Sequence, residues 1–257
     1  LTDVTGVQTC ALPILQNRNI LGVNEEEWLK QAKEYSLKID QFLTQREKSI
    51  LSKLIAIGGA MEEESFEVQT KTRIEDYQPV LDAIQKPEIE ILHQRHYHEF
   101  DTYFLFSDPD QGILRYREDE YLNENNEIRN IRYRLTLIGQ IREQQFPSDV
   151  LLSRSRYFAP ATHSLRFYRE YFKPAKELEI EKDRKRWRIL YKGTEFFINL
   201  DHIEKPALGY FVEVKSRTWS QKDAEHKAQL ATELIRFLGV SLEKREPLDY
   251  FDLAKTA

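Results

Sequence analysis

The feature that most constrains this chain is a strand-like alternation that repeatedly places two basic residues on one face of an otherwise apolar segment. Phe66 and Val68 alternate with Glu67, Gln69, Lys71 and Arg73, and Leu114 and Tyr116 with Arg115 and Arg117. Ile131, Tyr133, Leu135 and Leu137 alternate with Arg132, Arg134 and Thr136. Trp187 and Ile189 alternate with Arg184, Arg186 and Arg188, and Val212 and Val214 with Glu213, Lys215 and Arg217. Successive side chains of a strand point to opposite faces, so each segment has one apolar and one charged side. Many short strands of this kind predict a barrel or strongly curved sheet with a few helices packed outside it.

The charged faces carry the chemical signal. Lys71, Arg73, Arg115, Arg117, Arg132, Arg134, Lys182, Arg184, Arg186 and Arg188 all occupy alternating positions, and Asp183 is the only acid within Lys182–Lys192. Guanidinium forks match phosphate oxygens, and massing like charges is costly unless a ligand neutralises them. Solvated faces paired with surrounding glutamates would show the same periodicity, which by itself leaves both readings open. Glu67 on the first such strand and Glu213 on the last stand among the bases, and magnesium or manganese is often held by one or two carboxylates plus substrate phosphates. His93, His96 and His98 form no carboxylate–histidine motif of known spacing and read as a polar strand face.

Bulk properties narrow the classes. The chain has 257 residues, 40% hydrophobic and 32% charged, enough for one large domain or a medium one with an appendage. Its net charge of −5 argues against a general nucleic-acid binder, and no apolar run approaches the roughly 20 residues of a membrane helix. Residues 1–14 resemble translated sequencing-adapter sequence and the chain opens on Leu, so it reads as a fragment of a longer frame. Setting that stretch aside removes the only cysteine, Cys10, and a cysteine-free remainder fits a cytoplasmic protein. Asn24 followed by Glu25, Glu26 and Glu27 reads as a helix start. Apolar residues spaced by three and four from Trp28 to Ile57 continue it to Gly58-Gly59. That long helix is expected either to pack on the domain or to serve as a linker or dimerising element to a fused upstream domain. Tyr77–Ile84, Ser164–Phe172 and Ala224–Leu238 are further helix candidates.

Several ordered stretches resemble the CYTH domains of the triphosphate tunnel metalloenzymes. Glu67-Val-Gln69-Thr-Lys71 is similar to their opening E-x-E-x-K, Asp101-Thr-Tyr103-Phe104 to D-x-Y-F, and Leu114-Arg115-Tyr116-Arg117 to L-R-x-R. Arg134-Leu-Thr136-Leu137, Lys182-Asp-Arg184, Asn199-Leu-Asp201 and Leu208–Lys215 resemble the later motifs in the same order. The matches run from about Phe66 to about Leu238. The resemblance implies an α+β chain whose core is an eight-stranded antiparallel β-tunnel, here over residues 61–257 after a helical segment at 15–60. It implies that Glu67, Lys71, Arg115, Arg117, Arg134, Lys182 and Arg184 are catalytic. Lys71, Arg73, Arg115, Arg117, Arg132, Arg134, Lys182, Arg184 and Arg186 would contact phosphate, and Glu67, Glu213 and Asp201 would hold Mg2+ or Mn2+. Gln69 and Lys215 replace carboxylates of the family's opening and closing motifs, so one metal site is expected to be weakened or lost. The expected function is binding of a triphosphate or polyphosphate anion with metal-dependent hydrolysis of a phosphorus anhydride. The alternative is a non-hydrolytic nucleotide or polyphosphate sensor, with adenylate cyclisation a lesser option.

Overall fold

The computed structural model describes residues 27, 29–38, 49–58, 61–63, 66–138, 150–152 and 156–257. Two compact units divide the chain, Leu1–Ser49 and Ile50–Ala257. In the first, residues 29–38 are helical, with Lys38 and Glu34 paired at 2.8 Å one turn apart. Residues 1–14, and residues 39–48 of the expected long helix, lie outside the described residues.

The second unit begins with helix α1 (Ile50–Gly58), followed by strands β1 (Met61–Glu63) and β2 (Phe66–Ile74) and helix α2 (Gln78–Ile84). Then come β3 (Ile89–Leu105), β4 (Ile113–Leu122), β5 (Ile128–Ile138), β6 (Val150–Leu152), β7 (Arg156–Pro160) and helix α3 (Leu165–Phe172). The unit ends with β8 (Lys176–Tyr191), β9 (Thr194–Lys205), β10 (Gly209–Thr218), α4 (Gln221–Phe237) and α5 (Tyr250–Thr256). Local chemistry sets several boundaries. Ser164 and Ser220 cap α3 and α4 by accepting hydrogen bonds from the backbone N–H groups of Phe167 and Asp223. The two-residue turn from β8 to β9 is Lys192-Gly193, both with positive φ (49° and 74°), the pairing a tight antiparallel hairpin requires.

All strand pairings are antiparallel, in the order β1-β7-β5-β4-β3-β8-β9-β10-β2-β6. The ends of this order are two halves of the same strands. Glu63 opposes Arg156 and Phe66 opposes Leu152, so the register passes from β1–β7 to β2–β6 with a slip of one residue. Two residues separate β1 from β2, a reach of at most about 11 Å. β1 with β2, and β6 with β7, therefore act as two long interrupted strands paired to each other, and the sheet comes round on itself as an eight-stranded antiparallel barrel.

Helices cover the outer wall. Val80 and Ile84 of α2 and Ala228, Ala231, Leu234 and Ile235 of α4 pack on Val68, Trp187, Ile189, Ile198, Val212 and Val214. On the other side Ile50 and Leu54 of α1 and Tyr168 and Phe172 of α3 pack on Phe104, Leu114, Leu135 and Ala159. Leu54 is fully buried, so the last turns of the expected linker helix belong to the barrel's compact unit. A third cluster lies on the inner face of the barrel, where Tyr250 and Phe251 of α5 meet Tyr103, Ile180, Ile203 and Phe211. That helix was not read from the sequence.

Candidate functional site

Val68, Leu114, Tyr116, Leu135, Leu137, Trp187, Ile189, Val212 and Val214 pack in the outer clusters, so Lys71, Arg115, Arg117, Arg134, Arg184 and Arg186 line the lumen. Ile131 and Tyr133, by contrast, are exposed, and half-exposed Arg188 pairs with Glu195 at 2.7 Å. Register then puts distant residues side by side. Arg132, Asp119, Glu99 and Lys182 form one row across β5, β4, β3 and β8. Arg134, Arg117 and Asp101 form the adjacent row. Arg186, Asn199, Glu213 and Lys71 form another across β8, β9, β10 and β2.

The expected cluster of bases is present, threaded with carboxylates, of which Glu99, Asp101 and Asp119 were not assigned to the site from the sequence. Arg117 forks onto Asp101 with contacts of 2.5 and 2.6 Å, and Arg184 forks onto Asp201 with the same pair of distances. Glu99 is the hub between them: its Oε2 lies 2.9 Å from Lys182 Nζ, 3.1 Å from Arg117 Nη1 and 3.6 Å from Arg184 Nη1. Lys182 also donates to Asp101 at 3.1 Å. Burial would raise the Glu99 and Asp101 carboxyls, but Arg117 with Arg184 and Lys182 at Glu99, and Arg117 with Lys182 and Arg115 at Asp101, hold both well below the usual range. Much of the positive charge is thus neutralised from within. The missed signal was local: Glu99, Asp101 and Tyr103 alternate along β3, and Asp119 continues the alternation of Arg115 and Arg117.

The β4–β5 side is different. Arg115 Nε and Arg134 Nε are buried with no hydrogen-bond partner among the described residues. The carboxylates nearest them stay at salt-bridge range, Asp101 at 3.7 Å from Arg115 and Asp119 at 3.8 Å from Arg134. Burial, followed by the like charges of Arg117 and Arg115, pushes Arg134 down to about 10. Arg132 meets Asp119 at 2.8 Å and stays half-exposed. On β8, burial and Arg184 lower Arg186, whose Nε donates to Asn199 Oδ1 at 2.7 Å.

Near α5 the expected phosphate contacts are partly committed to backbone. Lys71 Nζ donates to the Leu248 carbonyl and lies 4.3 Å from the Tyr250 ring centroid, and burial lowers its pKa. Arg73 is exposed and donates to the Leu208 carbonyl at 2.9 Å.

The resemblance implies a divalent metal held by Glu67, Glu213 and Asp201, and the donor set does not fit a resident ion. Lys215 Nζ stands 3.1 Å from Glu213 Oε1 and 3.6 Å from Glu67 Oε1, so an ammonium occupies the space between those carboxylates. Burial opposes ionisation of Glu213, yet Lys215, Arg184 and Lys71 with an Asn199 hydrogen bond hold it at about 2. Asp201 is forked by Arg184 and also accepts from the Tyr250 hydroxyl at 2.6 Å. Each implied metal ligand already faces a protein cation.

An antiparallel eight-stranded tunnel with outer helices and charged side chains inside is the CYTH-like barrel fold. No protein-family model matches the chain, and neither does any curated protein. Among solved structures it is similar to the PH1819 protein of Pyrococcus horikoshii OT3, with a TM-score of 0.55 and 21% identity over 74% of this chain and 98% of that one. It is also similar to a proposed adenylate cyclase from Vibrio parahaemolyticus, with a TM-score of 0.52 and 17% identity over 76% of this chain and all of that one. At these identities the likeness concerns the fold. No described helix is long and apolar enough to cross a membrane.

Proposed function

We propose that the tunnel binds a triphosphate- or polyphosphate-type anion directly through its basic side chains and hydrolyses it slowly or not at all. The observation that carries this is the pair of Nε donors on Arg115 and Arg134, buried and without a hydrogen-bond partner among the described residues. They stand beside Asp101, already claimed by Arg117 and Lys182, and Asp119, already claimed by Arg132. A buried donor without a partner costs about 1–3 kcal/mol, and phosphate oxygens are the acceptors that guanidinium groups match best. Lys215 favours binding over turnover, because it supplies the positive charge between Glu67 and Glu213 that a metal would otherwise bring. Hydrolysis is the second reading. The same fixed donors would stabilise negative charge developing on a transferring phosphoryl group.

Tripolyphosphate, pyrophosphate and a nucleoside triphosphate, each with and without magnesium or manganese, separate the two readings. Calorimetry should show metal-independent binding of the longer anions and little phosphate release. Lys215→Glu should raise manganese affinity by about tenfold or more, since it removes a repulsive cation and adds a carboxylate. If parent protein shows fast metal-dependent release that Lys215→Glu does not improve, the binding reading fails. If no anion binds, the tunnel reading fails.

A further inference from the structure

On the outer wall of the barrel, we propose a second site, independent of the tunnel, in which His98, Glu181 and Glu204 bind a divalent transition-metal ion of the zinc class. The three come from β3, β8 and β9, which are neighbours in the sheet. Their ligand atoms lie within 4.8 Å of one another.

The local backbone builds this convergence. Lys182 opposes Ile203 and Glu181 opposes Lys205, so Glu204 is an extra residue on β9 with no opposite number. Such a bulge re-aims a side chain, and bulges recur beside functional sites. Here it delivers Glu204 beside His98. Lys205, the next residue, is directed instead to Glu179 at 2.6 Å.

The spacing favours a metal over hydrogen bonds. His98 Nε2 lies 3.4 Å from Glu181 Oε1 and 3.8 Å from Glu204 Oε2. Charge-assisted hydrogen bonds close to about 2.7–2.9 Å, as His96 and Asp183 do at 2.6 Å on the same strands. Ligands about 2.0–2.1 Å from a tetrahedral ion stand roughly 3.3–3.4 Å apart, near the separations seen at His98. The second ring nitrogen supports the assignment: His98 Nδ1 faces Glu120 Oε2 of β4 at 3.7 Å. Metal-bound histidines commonly donate their other nitrogen to a carboxylate, and Glu120 stands on that side of the ring at salt-bridge range without accepting a hydrogen bond. Glu204 Oε1 is 3.5 Å from His202 Nδ1, a further donor at the margin. An imidazole with two carboxylates suits zinc, cobalt or nickel better than magnesium, and three protein ligands leave at least one position for water. The ion would tie three strands together one residue away from Glu99, Lys182 and Ile203 of the lumen.

The test needs no phosphate, so its outcome is independent of the tunnel reading. Cobalt(II) added to the full chain should give a visible ligand-field band that saturates at one ion and is displaced by zinc, and zinc should raise the melting temperature. His98→Ala and Glu204→Gln should each weaken cobalt binding by about tenfold or more, whereas Glu213→Gln in the tunnel should leave the band unchanged. Far-UV circular dichroism establishes that each variant is folded, and Glu204→Gln serves if His98→Ala is not. Absence of the band, a band unaltered by Glu204→Gln, or a band lost in Glu213→Gln would each overturn the assignment.

Discussion

The two sides of the tunnel solve the same electrostatic problem in opposite ways. Around β2, β9 and β10 every carboxylate assigned to metal is met by a protein cation, with Lys215 between Glu67 and Glu213 and Arg184 on Asp201. Around β4 and β5 the Nε donors of Arg115 and Arg134 are buried without a hydrogen-bond partner among the described residues, their carboxylates staying at 3.7 and 3.8 Å. Charges on the first side are compensated within the barrel, whereas the incompletely paired bases on the second are those proposed above to meet an anion. Guanidinium groups a few ångströms apart can therefore be structural or ligand-directed, depending on which carboxylate reaches them.

The largest test breaks the compensated network. Asp201→Asn should lower stability by about 3–5 kcal/mol, because it leaves the buried Arg184 against a neutral amide. Urea unfolding measures this, and a loss below about 1 kcal/mol would mean that water already screens the network. Arg134→Gln tests the other side and should weaken tripolyphosphate binding by about 10–100-fold, as expected for one charged hydrogen bond. Its stability should hold or rise. A base held at about 10 in the folded protein against an ordinary 12.5 carries an unfavourable charge at all lower pH, and that cost is relieved only as pH rises through this window. A stability loss comparable to that of Asp201→Asn would erase the distinction between the two sides.

The smallest expected effect concerns acid. Glu213 titrates at about 2 in the fold against an ordinary 4.5, so its stabilisation is present above 4.5 and is lost as pH falls towards 2. Lys215→Met removes the cation that lowers it most. The drop in stability between about pH 6 and about pH 3 should then be smaller than in the parent. An equal drop would show that Arg184 and Lys71 are sufficient to hold Glu213 ionised.

Period-two patterning made most of the inner wall legible from the chain. A strand residue's face is set by its parity, so Lys71, Arg115, Arg117, Arg134, Lys182, Arg184, Glu67 and Glu213 could be assigned to one side from the chain alone. The helix candidates at 77–84, 164–172 and 224–238 were likewise carried by spacing and caps. Helix α5 was not, because its seven residues could not stand alone as a helix and depend on Tyr250 and Phe251 reaching Phe211 and Tyr103.

Parity could not say who meets whom. Glu99 faces Lys182 across 83 positions of sequence only because β3 and β8 pair in that register, and a slip of one residue would turn every lining side chain outwards. The same holds for Lys215 between two carboxylates, for the single-residue bulge that brings Glu204 to His98, and for the barrel closing where β1 passes into β2. The sequence by itself determined the chemistry of the inner wall, since alternation is a local property of the strand. Which charges are closely paired and which are not was decided only by the tertiary structure, because strand register is a long-range property fixed by packing of the outer faces against the helices.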